Sequence, residues 1–514
     1  MTGQVDVLVV GAGPTGLTTA LQAHDNGATV RVVEVRRDAF RPSRAMIVHP
    51  RTMESLRPLG VTDDLLDRGD TSPKAELHLG RRRVPAELAD VALSDTAFPH
   101  LTMLRQMDVE EVLANALEQR GVDIGRGTEL VSVSHGRDGV ARARLRSDRW
   151  VEEVTCRFVA GCDGPPSTVR SLAGIGWRGG PYRVEVVLAD VELVGDLAPG
   201  ILHVVAGREG LVFLFALGEG ATWRILATRP SHHRDARFGQ PGREVPLSDV
   251  QGLLDAAGLE ATISEMAWSA EVRLQHRLAT AFRRDRLFLA GDAAHAHSPA
   301  AAQGMNTGML DAVNLGWKLA FAARSDHDHT ALLDSYEQER RPVARQVLAL
   351  TRAVFFAEAS TNPLPAFLRG SLVPLAAPAM PVLLKQRWLM AQVVRMLSQG
   401  WVRYRRSPLS LDGIPEGGGW PKPGDRMPDQ DVTCEGRWGR VHQLTARPGV
   451  HVLLERDAED LDRRLLGPHV SVHRITSHPG RGLLAVRPDG HVGFRCGEAD
   501  VGQLGAWLDL AAAR

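Results

Sequence analysis

Val5-Asp6-Val7-Leu8-Val9-Val10-Gly11-Ala12-Gly13-Pro14-Thr15-Gly16 decides how the chain begins. An apolar run ends in spaced glycines, a helical pattern follows, and a second apolar run from Thr29 to Val33 ends in Glu34. That order predicts a βαβ unit. Gly11 permits the tight turn, Gly13 lets the backbone approach a pyrophosphate, and Gly16 packs helix on strand. The helix that opens at Pro14 and Thr15 offers N–H donors and a favourable dipole to phosphates. Glu34 is placed to accept from a ribose hydroxyl, which favours FAD or NAD over a 2′-phosphorylated nucleotide, and Arg36 is counted beside it as cofactor-binding. The unit alone does not separate FAD from NAD.

Outward from this unit, Val109 to Arg120 has helical spacing closed by Gly121, and Phe158-Val159-Ala160 reads as another buried strand. Between Tyr182 and Glu271 the pattern turns β-rich, with runs at Val184 to Val191, Leu211 to Leu217 and Thr222 to Ala227. Leu287 to Ala290 is again a buried strand, followed by helical stretches over Gly304 to Ala323 and Thr330 to Thr351, so the first domain is discontinuous. Past Pro408, Gly417-Gly418-Gly419 and several prolines lead to new strands at Val450 to Leu454 and His469 to Ile475, which predicts a small C-terminal α/β domain.

Composition excludes several classes. At 514 residues the chain is long enough for two or three cores. Lys plus Arg balances Asp plus Glu at 61 each, which gives no global field for nucleic acid or an anionic membrane. The four cysteines, Cys156, Cys162, Cys434 and Cys496, form no Cys-x-x-Cys pair, which suits a reducing cytoplasm. The N-terminal apolar run carries Asp6 and leads into glycines, so it reads as a strand and not a signal peptide. Ser371 to Leu384 is broken by Pro374, Pro378 and Pro381, which argues for a packed segment and against a membrane span. His295, His232-His233 and His327/His329 form no metal pattern, and no metal is expected.

Two later segments select the cofactor. Val159-Ala160-Gly161-Cys162-Asp163-Gly164, with Ser167 and Arg170, resembles the Asp-Gly motif of flavoprotein aromatic hydroxylases. Arg286 to His295 resembles their Gly-Asp motif, whose aspartate, here Asp292, contacts the flavin ribityl chain. The resemblance continues through Pro299, Gln303-Gly304-Met305-Asn306-Thr307-Gly308, Asp311-Ala312, Asn314-Leu315 and Trp317-Lys318-Leu319. It also implies FAD contacts at Arg44, in Ser43-Arg44-Ala45, and at Gln106. Ala300-Ala301-Ala302 departs from the pattern, because many relatives carry glycines there, and an added methyl restricts the backbone beside the flavin.

The resemblance implies an α/β fold. Its parts are a discontinuous Rossmann-like FAD-binding domain (1–175 and 273–405, the latter with a helical segment), an inserted β-rich substrate domain (176–272) and a thioredoxin-like C-terminal domain (406–514). Pro423-Gly424-Asp425-Arg426-Met427-Pro428-Asp429 and Arg487-Pro488-Asp489-Gly490 carry the last of these; without a Cys-x-x-Cys pair, its role is structural or interfacial. The implied reaction is hydroxylation of a phenol or aromatic polyketide. FAD is reduced by transiently bound NADPH or NADH, molecular oxygen forms a flavin C4a-hydroperoxide, and one oxygen atom is transferred. Baeyer–Villiger oxygenation of a polyketide ketone is the alternative chemistry, and a flavin-binding scaffold the alternative without catalysis. His297 is the candidate base, and Trp177, Trp223 and Trp268 are candidates to line a substrate cavity, with core packing the competing account of each. The expected partners are a small aromatic substrate and oxygen, with a homodimer as the assembly considered.

Overall fold

The computed structural model describes residues 3–38, 43, 45–80, 82–87, 92–136, 140–206, 210–218, 220–231, 242–298, 302–325, 329–359, 378–419 and 421–514. Arg44, Pro299, Ala300, Ala301, His232, His233 and His327 lie outside them, as does most of the proline-broken segment before Pro378.

The first sheet has a parallel centre, ordered Leu287–Leu289, Val151–Gly161, Gly3–Val10, Val30–Glu34 and Ile124–Arg126. Val7, Leu8 and Val9 are fully buried, as expected for a parallel strand covered on both faces. Each such side chain contributes roughly 1.5–3 kcal/mol relative to exposure. Helices Pro14–Asp25 and Gln303–Ala323 pack against one another beside this sheet. The register aligns the strand ends: Val10 is opposite both Gly161 and Val33, and Gly161 is opposite Leu289. Four chain segments therefore leave the sheet at one edge, where ligands bind in open α/β sheets.

The second sheet runs His295–Ala296, Ala261–Ala279, Trp177–Gly195, Trp223–Pro230, Leu211–Phe215, Leu202–Ala206, Lys74–Leu79 and Arg82–Glu87. Its first and last strands come from residues 295–296 and 74–87, outside the 176–272 stretch that the sequence marks as β-rich. The hairpin 74–87 joins by parallel pairing of Lys74–Leu79 with Leu202–Ala206, a contact that no local pattern announces. Alternating residues face opposite sides. One face holds Val187, Ala189, Val205 and Trp223 under helix Leu247–Ala256; the other holds Val184, Val186 and Leu188 against Phe355.

The third sheet comprises seven strands between Leu411 and Cys496, flanked by helix Val501–Leu510. All four cysteines are free. Among the described residues no helix is long and apolar enough to cross a membrane.

Candidate active site

The glycine loop is locked between strand ends: Gly11 N–H donates to Val33 O at 2.8 Å, Cys162 N–H to Val10 O at 2.8 Å, and Ala290 N–H to Gly161 O at 3.0 Å. Gly11 has φ +103°, and a Cβ on it would lie 2.4 Å from Cys162 O. A Cβ on Gly16 would lie 1.9 Å from Gly11 O. A Cβ on Gly13, by contrast, would meet no atom of the described residues within 4 Å. Packing within the protein requires two of these glycines; the middle one borders a space that the described residues do not fill. Among the described residues no side chain caps helix Pro14–Asp25, which leaves its first N–H groups open to an anion.

Glu34 is buried across the loop, where Oε2 accepts from Ala12 N–H at 2.9 Å and Oε1 from Arg36 N–H and Nε at 3.0 Å each. Burial alone would raise its pKa, but these bonds outweigh it and hold the carboxylate ionised. Asp163 turns inward: Oδ1 accepts from Ser167 Oγ at 2.6 Å, and Oδ2 from Thr168 N–H at 2.6 Å and Val169 N–H at 3.1 Å. Its carboxylate fixes the start of helix Thr168–Leu172. Burial raises its pKa despite those donors. Asp292, on the turn Gly291–Ala293, is exposed at the same edge.

Thr15 joins the first motif to the second. Its Oγ1 lies where a Cβ on either Gly291 or Gly308 would have to go, at 2.5 and 2.3 Å, so helix Pro14–Asp25, the Gly291 turn and helix Gln303–Ala323 meet there. Arg170 ties the Asp163 loop to the same turn, donating to Ala293 O at 2.9 Å and Pro165 O at 2.7 Å.

At the start of helix Gln303–Ala323, Asn306 Oδ1 accepts from His49 N–H, and Nδ2 donates to Ile47 O and Ala302 O, each at 2.9 Å. A Cβ on Gly304 would lie 3.9 Å from His297 Cε1, and Met305 packs on the first sheet's core. Gln303 is buried, yet neither atom of its amide has a hydrogen-bond partner among the described residues; the same holds for His297 Nε2. Buried polar atoms left in this way point to a missing ligand. Gln106 Nε2 donates to Glu110 Oε1 at 2.8 Å, and burial raises the Glu110 carboxyl to about 7.

The open space at Gly13, the uncapped helix and the orphaned amide of Gln303 together fit a dinucleotide laid along this edge. The family described as FAD binding domain matches residues 4–351. The chain belongs to that family. It is 33% identical over 517 residues to 6-methylpretetramide 4-monooxygenase of Streptomyces rimosus, an alignment covering 95% of this chain and 90% of the relative. Its structure resembles OxyS anhydrotetracycline hydroxylase from Streptomyces rimosus (TM-score 0.76, 26% identity, 99% of each chain). It also resembles CabE, an aromatic hydroxylase from angucycline biosynthesis (TM-score 0.75, 27% identity, 99% of this chain and 100% of the other). The protein is thus an FAD-dependent monooxygenase.

Within this flavoprotein, sequence reasoning leaves unassigned the hub below that strand-end edge. Asp311 accepts from His295 Nε2 and Arg340 Nε at 2.6 Å each and from Gly291 N–H at 3.1 Å. Arg340 also donates to the Tyr404 hydroxyl at 3.0 Å. Asp311 lies in the recognised run, but its partners are distant in sequence, so only the fold could identify them. The tryptophans divide. Trp268 packs with Val184, Val186, Leu188 and Phe355 on the face nearer helix Thr330–Ala359. Trp223 is buried on the opposite face, and Trp177 lies under the Arg170 guanidinium at 4.0 Å. Burial, then the neighbouring His295, lowers the His297 pKa to about 4.

Proposed function

We propose that this monooxygenase hydroxylates an aromatic polyketide bound between the flavin edge and the inner face of the second sheet. The observation that carries the reading is the meeting of the glycine loop, the Gly291–Asp292 turn and Gly308 of helix Gln303–Ala323 at Thr15, in a chain with polyketide monooxygenases among its relatives. FAD, when bound, accepts two electrons from NADPH or NADH and activates oxygen.

The chain's own residues position and shield. Gly13 and the first turn of helix Pro14–Asp25 would hold the pyrophosphate, Glu34 the adenosine ribose, Asp292 the ribityl chain, and Gln303 with Gly304 and Met305 the ring's carbonyl side. Gly11, Pro14, Thr15, Gly16, Asp163 and Asn306 shape that edge, with Arg36, Arg44, Gln106 and Pro299 as further assigned contacts. Val186, Leu188, Leu226, Trp268 and Phe355 give an apolar wall that excludes water from a ring system. His297, neutral at physiological pH, is too weak a base to deprotonate a phenol efficiently and serves as a hydrogen-bonding partner. The thioredoxin-like reading of the C-terminal sheet, the cytosolic location and a homodimer belong to the same proposal.

A panel of polycyclic phenols tests it. The substrate should stimulate NADPH consumption and acquire one atom of labelled oxygen as a new phenol. A lactone product would replace hydroxylation by Baeyer–Villiger chemistry. Slow NADPH oxidation indifferent to every phenol would leave a flavin-binding scaffold.

A further inference from the structure

Glu76 and His78 stand two residues apart on strand Lys74–Leu79, and His203 is in register with Glu76 on the parallel neighbour Leu202–Ala206. Alternation places all three on one face of the second sheet. The opposite face carries Ala75 and Val204 against Met46, Ile47 and Met103. The trio therefore lies on the side shared with Val205 and Trp223, away from the wall assigned to substrate; the Trp223 ring is 5.6 Å from that of His203.

Three ligand atoms converge there. His78 Nε2 is 3.1 Å from His203 Nδ1 and 3.2 Å from Glu76 Oε1, and His203 Nδ1 is 3.5 Å from Glu76 Oε1. A tetrahedral zinc ion holding nitrogen and oxygen ligands at about 2.0–2.1 Å sets them roughly 3.3–3.4 Å apart. The triangle already has the dimensions of one face of that tetrahedron. His203 Nε2 lies 3.1 Å from Ala198 O. A carbonyl only accepts, so the ring hydrogen sits on Nε2 and the Nδ1 lone pair points at Glu76 and His78. Orientation of a histidine by a backbone carbonyl is the usual outer support of a metal ligand.

The burial agrees. His203 is fully buried, His78 nearly so, and Glu76 Oε1 is buried without a hydrogen bond of good geometry. Without a cation, one hydrogen on His78 Nε2 must serve two acceptors. Among the described residues Arg83 Nε also lies 3.9 Å from Glu76 Oε1, and its half-exposed side chain can turn to solvent.

We propose that Glu76, His78 and His203 bind a zinc-class divalent transition-metal ion, with water in the fourth position. The ion pins the hairpin 74–87 to its neighbour at the strand pair that, within the second sheet, has the largest gap in sequence. Two histidines and a carboxylate are a zinc ligand set. The sequence-based expectation of no metal considered other histidines; this site needs a partner 125 residues away.

The test uses the full-length, FAD-loaded protein, stripped with chelator and titrated with Zn²⁺. One ion per chain should survive gel filtration and raise the thermal midpoint. Glu76→Gln and His78→Gln should each weaken Zn²⁺ binding on the order of 100-fold and abolish the thermal shift, with the flavin absorbance unchanged. Wild-type protein that retains no zinc overturns the proposal, whether or not the variants fold. Zinc bound equally well by wild type and by Glu76→Gln, a near-isosteric change, also overturns it by placing the ion elsewhere.

Discussion

The glycine loop, partly buried, and the seam beneath the C-terminal sheet, fully buried, both gather polar groups, yet they are built in opposite ways. The loop uses backbone groups, and Gly13 borders a space that the described residues leave open. The seam uses side chains and closes on itself: Glu339 accepts from Lys318 Nζ and Asn314 Nδ2 at 2.7 Å and from Arg487 at 2.7 and 2.8 Å, while Asp489 accepts from Asn314 Nδ2 at 2.9 Å and also pairs with Arg487. All these groups are at most 4% exposed. Helices Gln303–Ala323 and Thr330–Ala359 are thereby clamped to the C-terminal sheet, reinforced by Arg51 donating to Asp489 O at 2.9 Å. A ligand site leaves donors unspent, whereas a structural seam satisfies each charge internally.

Substitutions can break this contrast, beginning with the largest effect. Gly16→Ala drives a methyl into Gly11 O and should cost on the order of 4 kcal/mol, seen as loss of folded, yellow protein. Glu339→Ala strands Lys318 and Arg487 in the seam and should cost about 3–4 kcal/mol in chemical denaturation. Acid sharpens the second case. Burial would raise the Glu339 pKa, but Arg487 and then Lys318 outweigh it and bring it down to about 2. Because the folded pKa lies below the unfolded one, this stabilisation is complete above the unfolded value of 4.5 and is lost as pH falls towards about 2. Glu339→Ala should therefore flatten the acid limb of a stability-against-pH curve.

The loop should respond differently. Gly13→Ala meets no atom of the described residues, so apo-protein stability should change by less than about 1 kcal/mol, whereas FAD affinity should fall on the order of 10-fold or more in a fluorescence titration. Equal loss of stability and affinity would erase the distinction between loop and seam. The smallest effect is expected at Ala302, which caps helix Gln303–Ala323 at φ +51°. Left-handed backbone costs a non-glycine residue about 1–2 kcal/mol, and the freer unfolded chain of Ala302→Gly returns about 0.4–1 kcal/mol of that. A net gain below about 1 kcal/mol should raise the thermal midpoint slightly.

The sequence by itself determined the βαβ start, the return of the chain to the first sheet at Leu287, and the edge where the cofactor motifs gather. Those features rest on neighbours: apolar runs that must be buried, a turn that only glycine can make, and an acid at the end of a strand. The tertiary structure decided that Asp163 caps a helix, that Thr15 joins two motifs, and that Asp311 and Glu339 each gather donors from distant segments. It also decided that the hairpin 74–87 belongs to the second sheet and brings His78 to His203. Such pairings depend on sheet register and helix packing, and a charge in a sequence does not reveal which distant charge will meet it once water has been removed.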